Sequence, residues 1–232
     1  MKNLNIFSLI SEYDSAKSGG VLNKPNVSFV NEDSSVRYLV DLTHNGYEYV
    51  DLGLSSGLKW ATCNVGATSP EEYGLYFAWG ETVGYTGEQV TSGVKTFTND
   101  EYKSGPAASI SADLTLEQDA AHVNLGGNWR MPTQAEYQEL FDNCDAVWTE
   151  DYNGTGVAGR IFTSKVNGNT IFFSATGQCN NSNVYFVGSG GHCWSTSWSS
   201  SKSAWYLGFN SNSHGLYYLD RYYGFPVRGV FK

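Results

Sequence analysis

From Ala204 to Asn210 the chain reads Ala-Trp-Tyr-Leu-Gly-Phe-Asn, which places Trp205, Leu207 and Phe209 at every second position. A period of two belongs to an extended strand, whose successive side chains point to opposite faces, so these three residues define one inward face. Phe225 and Val227 repeat the pattern further on. The alternation lies inside residues 185–232, where six Tyr, three Trp and four Phe occur with nine Ser and seven Gly. Text of this kind builds sheet and turn rather than helix. Over the whole chain, 26 Gly and 16 Tyr stand against only 16% charged residues, a balance that argues against a helical bundle or coiled coil.

Charge narrows the function classes. The net charge of −9 disfavours binding driven by nucleic-acid phosphates. Residues 185–232 invert that sign, with Lys202, Arg221, Arg228 and Lys232 against Asp220. No run approaches the ~18 apolar residues of a membrane span, so no membrane insertion is expected. Asn and Ser interrupt the apolar run from Met1 to Ile10, and no small-residue cleavage site follows it, so no secretory signal is read. A protein like this working outside a cell would leave by another route, such as a particle released by lysis.

The 232 residues suffice for one domain with an appendage. Residues 1–45 read as the appendage. Ile6, Leu9, Ile10 and Tyr13 fall near helical spacing, and Ser18-Gly19-Gly20 would end that helix. Val27–Val30 and Val36–Val40 alternate around the polar stretch Asn31–Ser35, a hairpin signature. A lone hairpin is marginal in water, so this segment is expected to serve attachment or oligomerisation.

Residues 46–232 are expected to form one α+β domain. Two strands flank Ser55-Ser56-Gly57, and Gly74–Glu81 reads as buried. The polar stretch 82–112 reads as a long surface excursion. Two helices follow, each opened by a capping box: Thr115 with Gln118 before Leu116–Val123, and Thr133 with Glu136 before Gln134–Asn143. In the second, Tyr137, Leu140, Phe141 and Cys144 fall on one face. A hairpin around Asn167-Gly168-Asn169 joins Ile161–Val166 to Thr170–Phe173.

Catalytic and metal-binding patterns are weak. Cys63, Cys144, Cys179 and Cys193 form no Cys-x-x-Cys, so zinc is not expected and buried free thiols are the preferred reading; a bridge between Cys179 and Cys193 stays open. The four His lack triad spacing, and no Gly-x-Ser-x-Gly occurs. His122 reads as structural, while His192 and His214 lie in turns and are either solvated or at a ligand. Asn31-Glu32-Asp33 and Asn99-Asp100-Glu101 lack the alternating oxygens of a calcium loop. No cofactor and no metal is expected.

A different chemistry stands out in the tail. Tyr, Ser, Gly and Asn with a few Trp is the vocabulary of combining sites, where Tyr offers wide amphipathic contact with few rotors to freeze. The candidate ligand-binding residues are Ser199, Ser201, Lys202, Ser203, Tyr206, Gly208, Ser213, Gly215, Tyr217, Tyr218, Asp220, Tyr222 and Tyr223. They alternate with the inward set and would face water or a partner.

The segment Gly127-Asn128-Trp129-Arg130-Met131-Pro132-Thr133-Gln134-Ala135-Glu136-Tyr137 resembles the helix opening of the C-type-lectin fold shared by formylglycine-generating enzymes and their relatives. Gly224-Phe225-Pro226-Val227-Arg228-Gly229-Val230 resembles the closing strand of that fold, and Tyr49–Ala67 resembles a related domain of gut bacteria and their phages. Within it, Cys193–Trp198 and Ala204–Asn210 resemble the variable region of proteins diversified by retroelements, in which adenine-directed mutagenesis substitutes Asn codons that encode a ligand-facing surface. The resemblance implies a C-type-lectin-like domain over 46–232 with a variable region at about 185–232. Its fixed framework would be Trp194, Trp205, Leu207, Phe209, Arg221, Gly224, Phe225 and Arg228. Tyr, Ser, Asp and Gly are reachable from an Asn codon by changing its adenines, whereas Lys202 requires another template.

The implied function is noncovalent binding of a host-cell surface protein or glycan, of the phage tail-fibre adhesin type, carried on a virion and in a homo-oligomer, with a trimer expected. A bacterial surface adhesin is the alternative. A formylglycine-generating oxidase is a weaker one, because its paired cysteines would fall in Trp205–Gly224, where no Cys occurs.

Overall fold

The structure is a computed structural model that describes residues 28–32, 35–39 and 42–232. The expected helix within 1–18 lies outside the described residues. The chain divides into two units, Met1–Leu42 and Thr43–Lys232. In the first, β1 (Ser28–Glu32) and β2 (Ser35–Leu39) pair antiparallel from Ser28↔Leu39 to Glu32↔Ser35. The polar stretch expected as a five-residue turn is therefore largely paired, and only two residues separate the strands.

The second unit is α+β, with every strand pairing antiparallel. It begins three residues before the expected boundary. β3 (Thr43–His44) pairs with β4 (Tyr47–Asp51), and the His44 ring stacks on Phe231 at 4.1 Å. The His44 carbonyl accepts the Trp129 indole N–H at 2.9 Å, so these residues belong to the domain. β5 (Lys59–Asn64) pairs with β4 on one side and on the other with β14 (Arg228–Phe231), giving the order β14-β5-β4-β3. A second sheet joins β6 (Cys144–Thr149), β7 (Gly159–Ser164) and β8 (Thr170–Ser174). The short strands β9 (Gln178–Asn180) and β10 (Asn183–Tyr185) form a two-stranded ribbon. The third large sheet, β11 (Gly190–Trp198), β12 (Ser203–Asn210) and β13 (His214–Asp220), carries most of the candidate residues.

The stretch 82–112 is not a loose excursion. It holds α1 (Gly87–Thr91) and α2 (Asn99–Ser104), capped by Thr86 and Thr98, and it buries Val90, Phe97, Tyr102, Ala107 and Ile110. Lys95, itself buried, reaches Glu81 and Glu101, each at 3.0 Å, and ties the stretch down. The Thr115 capping box forms but opens only a 3-10 turn, Leu116–Gln118. Asp119 then accepts the His122 N–H and starts α3 (Ala120–Leu125), so that helix begins later than expected.

Around α4 (Gln134–Asn143) the quoted motif has a local physical reading. Thr133 accepts the Glu136 N–H, and the Glu136 carboxylate accepts the Thr133 N–H at 2.8 Å. The same carboxylate is clamped by both terminal nitrogens of Arg130. Trp129 and Tyr137 are fully buried on either side. Cys144, expected on the helix face, instead starts β6 and is still buried among the same residues.

Two apolar clusters fill the domain, and strands with period two feed both. Trp60, Cys193, Leu207 and Phe209 enter one, with Tyr137, Leu140 and Phe162. Ala61, Trp194 and Ala204 enter the other, with Trp79, Trp129 and Phe225. The sheet β11-β12-β13 lies between them, so much of the aromatic density of 185–232 is core. Arg228 sits fully buried where the sheets meet, donating to Asn64 Oδ1 and to the carbonyls of Ala61, Thr62 and Phe172. Its guanidinium lies 4.4 Å over the Phe173 ring.

Candidate ligand-binding site

β12 and β13 pair from Ser203↔Asp220 to Phe209↔His214, which sets the facing of every candidate residue. Tyr206 lies opposite Tyr217, with ring centroids 5.9 Å apart. Beneath them is Gly208: a Cβ there would stand 2.9 Å from Tyr206 Cε2 and 3.0 Å from Tyr217 Cδ2. The absence of a side chain lets the two rings close over the strand. Gly215, diagonal to Tyr206, likewise leaves room for Tyr217. Tyr217 is 45% exposed.

Tyr206 rests on the core through Phe225, at 4.8 Å, and Trp194, at 5.9 Å. Burial pushes its phenol up to about 12. From Phe225 the aromatic strip continues to Tyr223 at 6.4 Å and on to Tyr222 at 4.8 Å. Tyr223 is fixed by Asn180, which donates to its hydroxyl at 3.1 Å. Tyr206, Tyr217, Tyr222 and Tyr223 thus form one chain of partly exposed rings grounded on a buried phenylalanine.

Tyr218 does not join it. Strand alternation turns it to the other face, where its ring meets Trp205 edge-on at 5.4 Å, and it is 62% exposed. Trp205 shares its face with Leu207 and Phe209, as expected, but the core stops short of it and it is only half-buried. Two candidates do not present side chains outward. Ser203 is buried, with its hydroxyl 2.7 Å from that of Ser200, and Gly208 is covered by the two rings.

Most of the remaining candidates gather at the two ends of β12. Tyr206, Gly208, Ser213 and Tyr217 line a cavity of about 140 Å³ with His192. Ser201, Lys202, Asp220 and Tyr222 line a second, of about 330 Å³. Ser199 is half-buried, its N–H donating to the Ser203 carbonyl at 3.2 Å.

The turns at both ends are pinned by arginines that bond to backbone rather than to carboxylates. Arg160 donates to the Asn210 carbonyl at 2.6 Å and reaches Ser211 and Ser213 as well. Arg221 donates to the carbonyls of Ser201, at 2.6 Å, Ile110, at 2.7 Å, and Ala108, at 3.2 Å. Each carbonyl held this way is one that a mobile loop would leave to water.

Like His214 in β13, His192 lies on a strand, β11, and not in the turn expected for it. It is stacked on Phe225 at 4.9 Å, and its Nδ1 lies 3.0 Å from the Gly177 carbonyl. Burial pushes its pKa down to about 4. Phe186 was missed: it is 59% exposed and held at a φ of 63°. Its carbonyl accepts the N–H groups of Ser189 and Gly190, both at 3.0 Å. A signal existed in the Tyr185-Phe186-Val187 run, but nothing in its pattern says which way it points.

The four thiols are free. Cys179 and Cys193 belong to different clusters, and burial raises both to about 12. Among the described residues no three His, Cys, Asp or Glu converge as metal ligands would, and no helix is long and apolar enough to cross a membrane. No protein-family profile, no curated protein and no solved structure matches the chain.

Proposed function

We propose that this chain is a noncovalent receptor-binding protein of the phage tail-fibre adhesin type. In this reading residues 43–232 adopt a C-type-lectin-like fold and display a diversified surface to a host-cell protein or glycan. The observation that carries it is the Tyr206–Tyr217 pair closed over Gly208, continuous through Phe225 with Tyr223 and Tyr222. Binding energy at interfaces concentrates in a few aromatic anchors held on a rigid base. Here Tyr206 and Tyr217 stand on strand positions and Tyr222 and Tyr223 in the turn after β13, and Arg160 and Arg221 fix the turns beside them. Ligand-facing positions on such a scaffold tolerate replacement, because the framework that holds them is buried separately, as retroelement-driven diversification requires.

The oxidase alternative gains no support from the thiols. Three are buried, and their pKa values, raised to about 11 for Cys144 and about 12 for Cys179 and Cys193, leave them protonated at neutral pH. The N-terminal hairpin fits the assembly segment of an oligomer, in which linked weak sites multiply affinity.

The test is labelling of intact cells across a panel of gut bacterial isolates with fluorescent protein. The parent should mark a subset of isolates, and a variant carrying Tyr217→Ser, Tyr222→Ser and Tyr223→Ser should not. Equal labelling by the two proteins would end this reading.

A further inference from the structure

The cavity between α2 and the β11–β12 turn has an unusual floor. Arg221 lines it and is only 3% exposed, yet among the described residues it has no carboxylate partner. Buried charges are ordinarily paired. Its terminal nitrogens bond to three carbonyls and its plane lies near the rings of Trp79, at 5.4 Å, and Tyr102, at 5.5 Å. Its Nε is buried with no hydrogen-bond partner. Carbonyl dipoles and ring faces hold a guanidinium in place without neutralising it, so the cavity floor stays positive.

The rim adds to this. Lys103 and Lys202 are both exposed on the lining and form no ion pair among the described residues. Three cations on one cavity stand out in a chain of net charge −9. Asp220 is the one carboxylate there, half-buried beside them, and Tyr222 and Tyr102 supply ring surface. A bare anion would gain from the cations and lose to Asp220. A ligand carrying both an anionic group and hydroxyl donors satisfies all four, since a hydroxyl donates to the carboxylate while the anionic oxygens face the cations. A cavity of about 330 Å³ takes one sugar ring.

We infer that this cavity holds a single acidic sugar residue, bearing carboxylate or phosphate, of a cell-surface saccharide chain. The inference rests on the receptor-binding reading and names the ligand class for one end of that face. Lys103 and Lys202 meet the anionic group, Arg221 provides the fixed charge beneath it, and Asp220 accepts from ring hydroxyls.

The test is an amide-resolved NMR titration of the full chain with glucuronate, glucose 6-phosphate and neutral glucose. Glucuronate or glucose 6-phosphate should shift the amides of Ser201, Lys202, Asp220 and Tyr222, and the stronger of the two identifies the source of the anion. Glucose should not shift them. A Lys103→Gln, Lys202→Gln variant keeps Arg221 and its structural bonds, and should bind about tenfold more weakly with an otherwise unchanged spectrum. High salt should weaken the parent's binding in the same direction.

Equal shifts with glucose, undiminished binding by the double variant, or tighter binding of an acidic peptide than of either acidic sugar would each overturn the inference. If the double variant still labels cells while acidic sugars leave the cavity unshifted, this inference fails and the receptor-binding face stands. If acidic sugars bind but the Tyr217, Tyr222 and Tyr223 substitutions leave cell labelling intact, the aromatic face fails instead.

Discussion

Tyr217 and Tyr218 are adjacent, chemically identical and both well exposed, yet they belong to different surfaces. Tyr217 stands over Gly208 against Tyr206, and through Phe225 it is linked to Tyr223 and Tyr222. Tyr218 meets only Trp205, at the margin of the opposite face. The same division runs one strand over, where Leu207 is sealed in one cluster while Tyr206 leans on the other and reaches solvent. Composition is therefore a poor guide to this tail. What matters is the parity of each position and whether the core extends beneath it.

If framework and display are separate, substitutions on the two should differ most in folding free energy. Trp194 is fully buried, and its indole N–H donates to the Phe77 carbonyl at 2.9 Å. Trp194→Ala should cost about 3–5 kcal/mol in denaturant unfolding, as large-to-small changes of buried aromatics do. Arg228→Met should cost at least as much, because it removes the donor from the carbonyls of Ala61, Thr62 and Phe172 at roughly 1–3 kcal/mol each. A loss below about 1 kcal/mol at either position would show that the two clusters do not act as the frame.

Much of that frame was legible beforehand. The Thr133 capping box, the hairpin of Ile161–Phe173 and the alternation of Leu207 and Phe209 all appear where local chemistry puts them. The helices α1 and α2 were not read, although Thr86-x-x-Gln89 and Thr98-x-x-Glu101 repeat the same capping spacing. At five and six residues they are too short to show an apolar period. The N-terminal edge of the domain differs from the expected one because His44 and Asn45 are polar and are held by groups distant in sequence: His44 accepts from the Asn128 N–H and the Trp129 indole N–H, and Asn45 donates to the Leu125 carbonyl. Within the site, a sheet buried on both faces sends aromatics inward from both parities. Alternation alone therefore sorts Trp205 with the core and leaves Gly208 outside it, whereas Ser203 shares the parity of Trp205 and Leu207 and its outward assignment rests on residue type alone.

The next effect concerns pH at the small cavity. His192 has a folded pKa of about 4, against an ordinary value of 6.5, because burial penalises its charged form. Between those values the unfolded chain binds a proton that the folded chain refuses, so stability falls as pH drops from about 6.5 through 4. The contribution is up to about 3 kcal/mol at the acid end. Urea midpoints at neutral and mildly acidic pH, compared between the parent and His192→Gln, separate the imidazole's share from that of the carboxylates. The variant should lose the acid-side decline by the corresponding amount. A parallel decline in both proteins would mean that the ring is hydrated rather than packed on Phe225.

A smaller effect is expected at the glycine under the tyrosine pair. A Cβ on Gly208 meets two rings at 2.9 and 3.0 Å, and both belong to side chains that reach solvent and can give way. Gly208→Ala should therefore cost only about 1 kcal/mol while splaying Tyr206 from Tyr217. Gly215→Ala, with nearest contacts of 3.3–3.4 Å, should be nearly silent in stability. Cell labelling should fall for the first and not for the second.

The smallest folding effect and the sharpest functional contrast belong to the two neighbours themselves. Tyr217→Ser and Tyr218→Ser each remove an exposed ring, so both should shift stability by about 0.5 kcal/mol or less, as surface changes do. Their binding consequences should diverge. Tyr217 ends the aromatic strip as its most exposed ring, beside Tyr206 and free to meet a ligand, and its loss should reduce cell labelling at least about tenfold. Tyr218 has Trp205 as its ring partner and lies off the strip, and its loss should leave labelling within about twofold. Equal losses would mean that the ligand wraps the edge of β13 and engages both faces. A larger loss at Tyr218 would move the binding face to the Trp205 side of the sheet. Because the two variants match in residue type and folding cost, and Tyr218 is the more exposed of the two, a larger loss at Tyr217 reports on facing and not on accessibility.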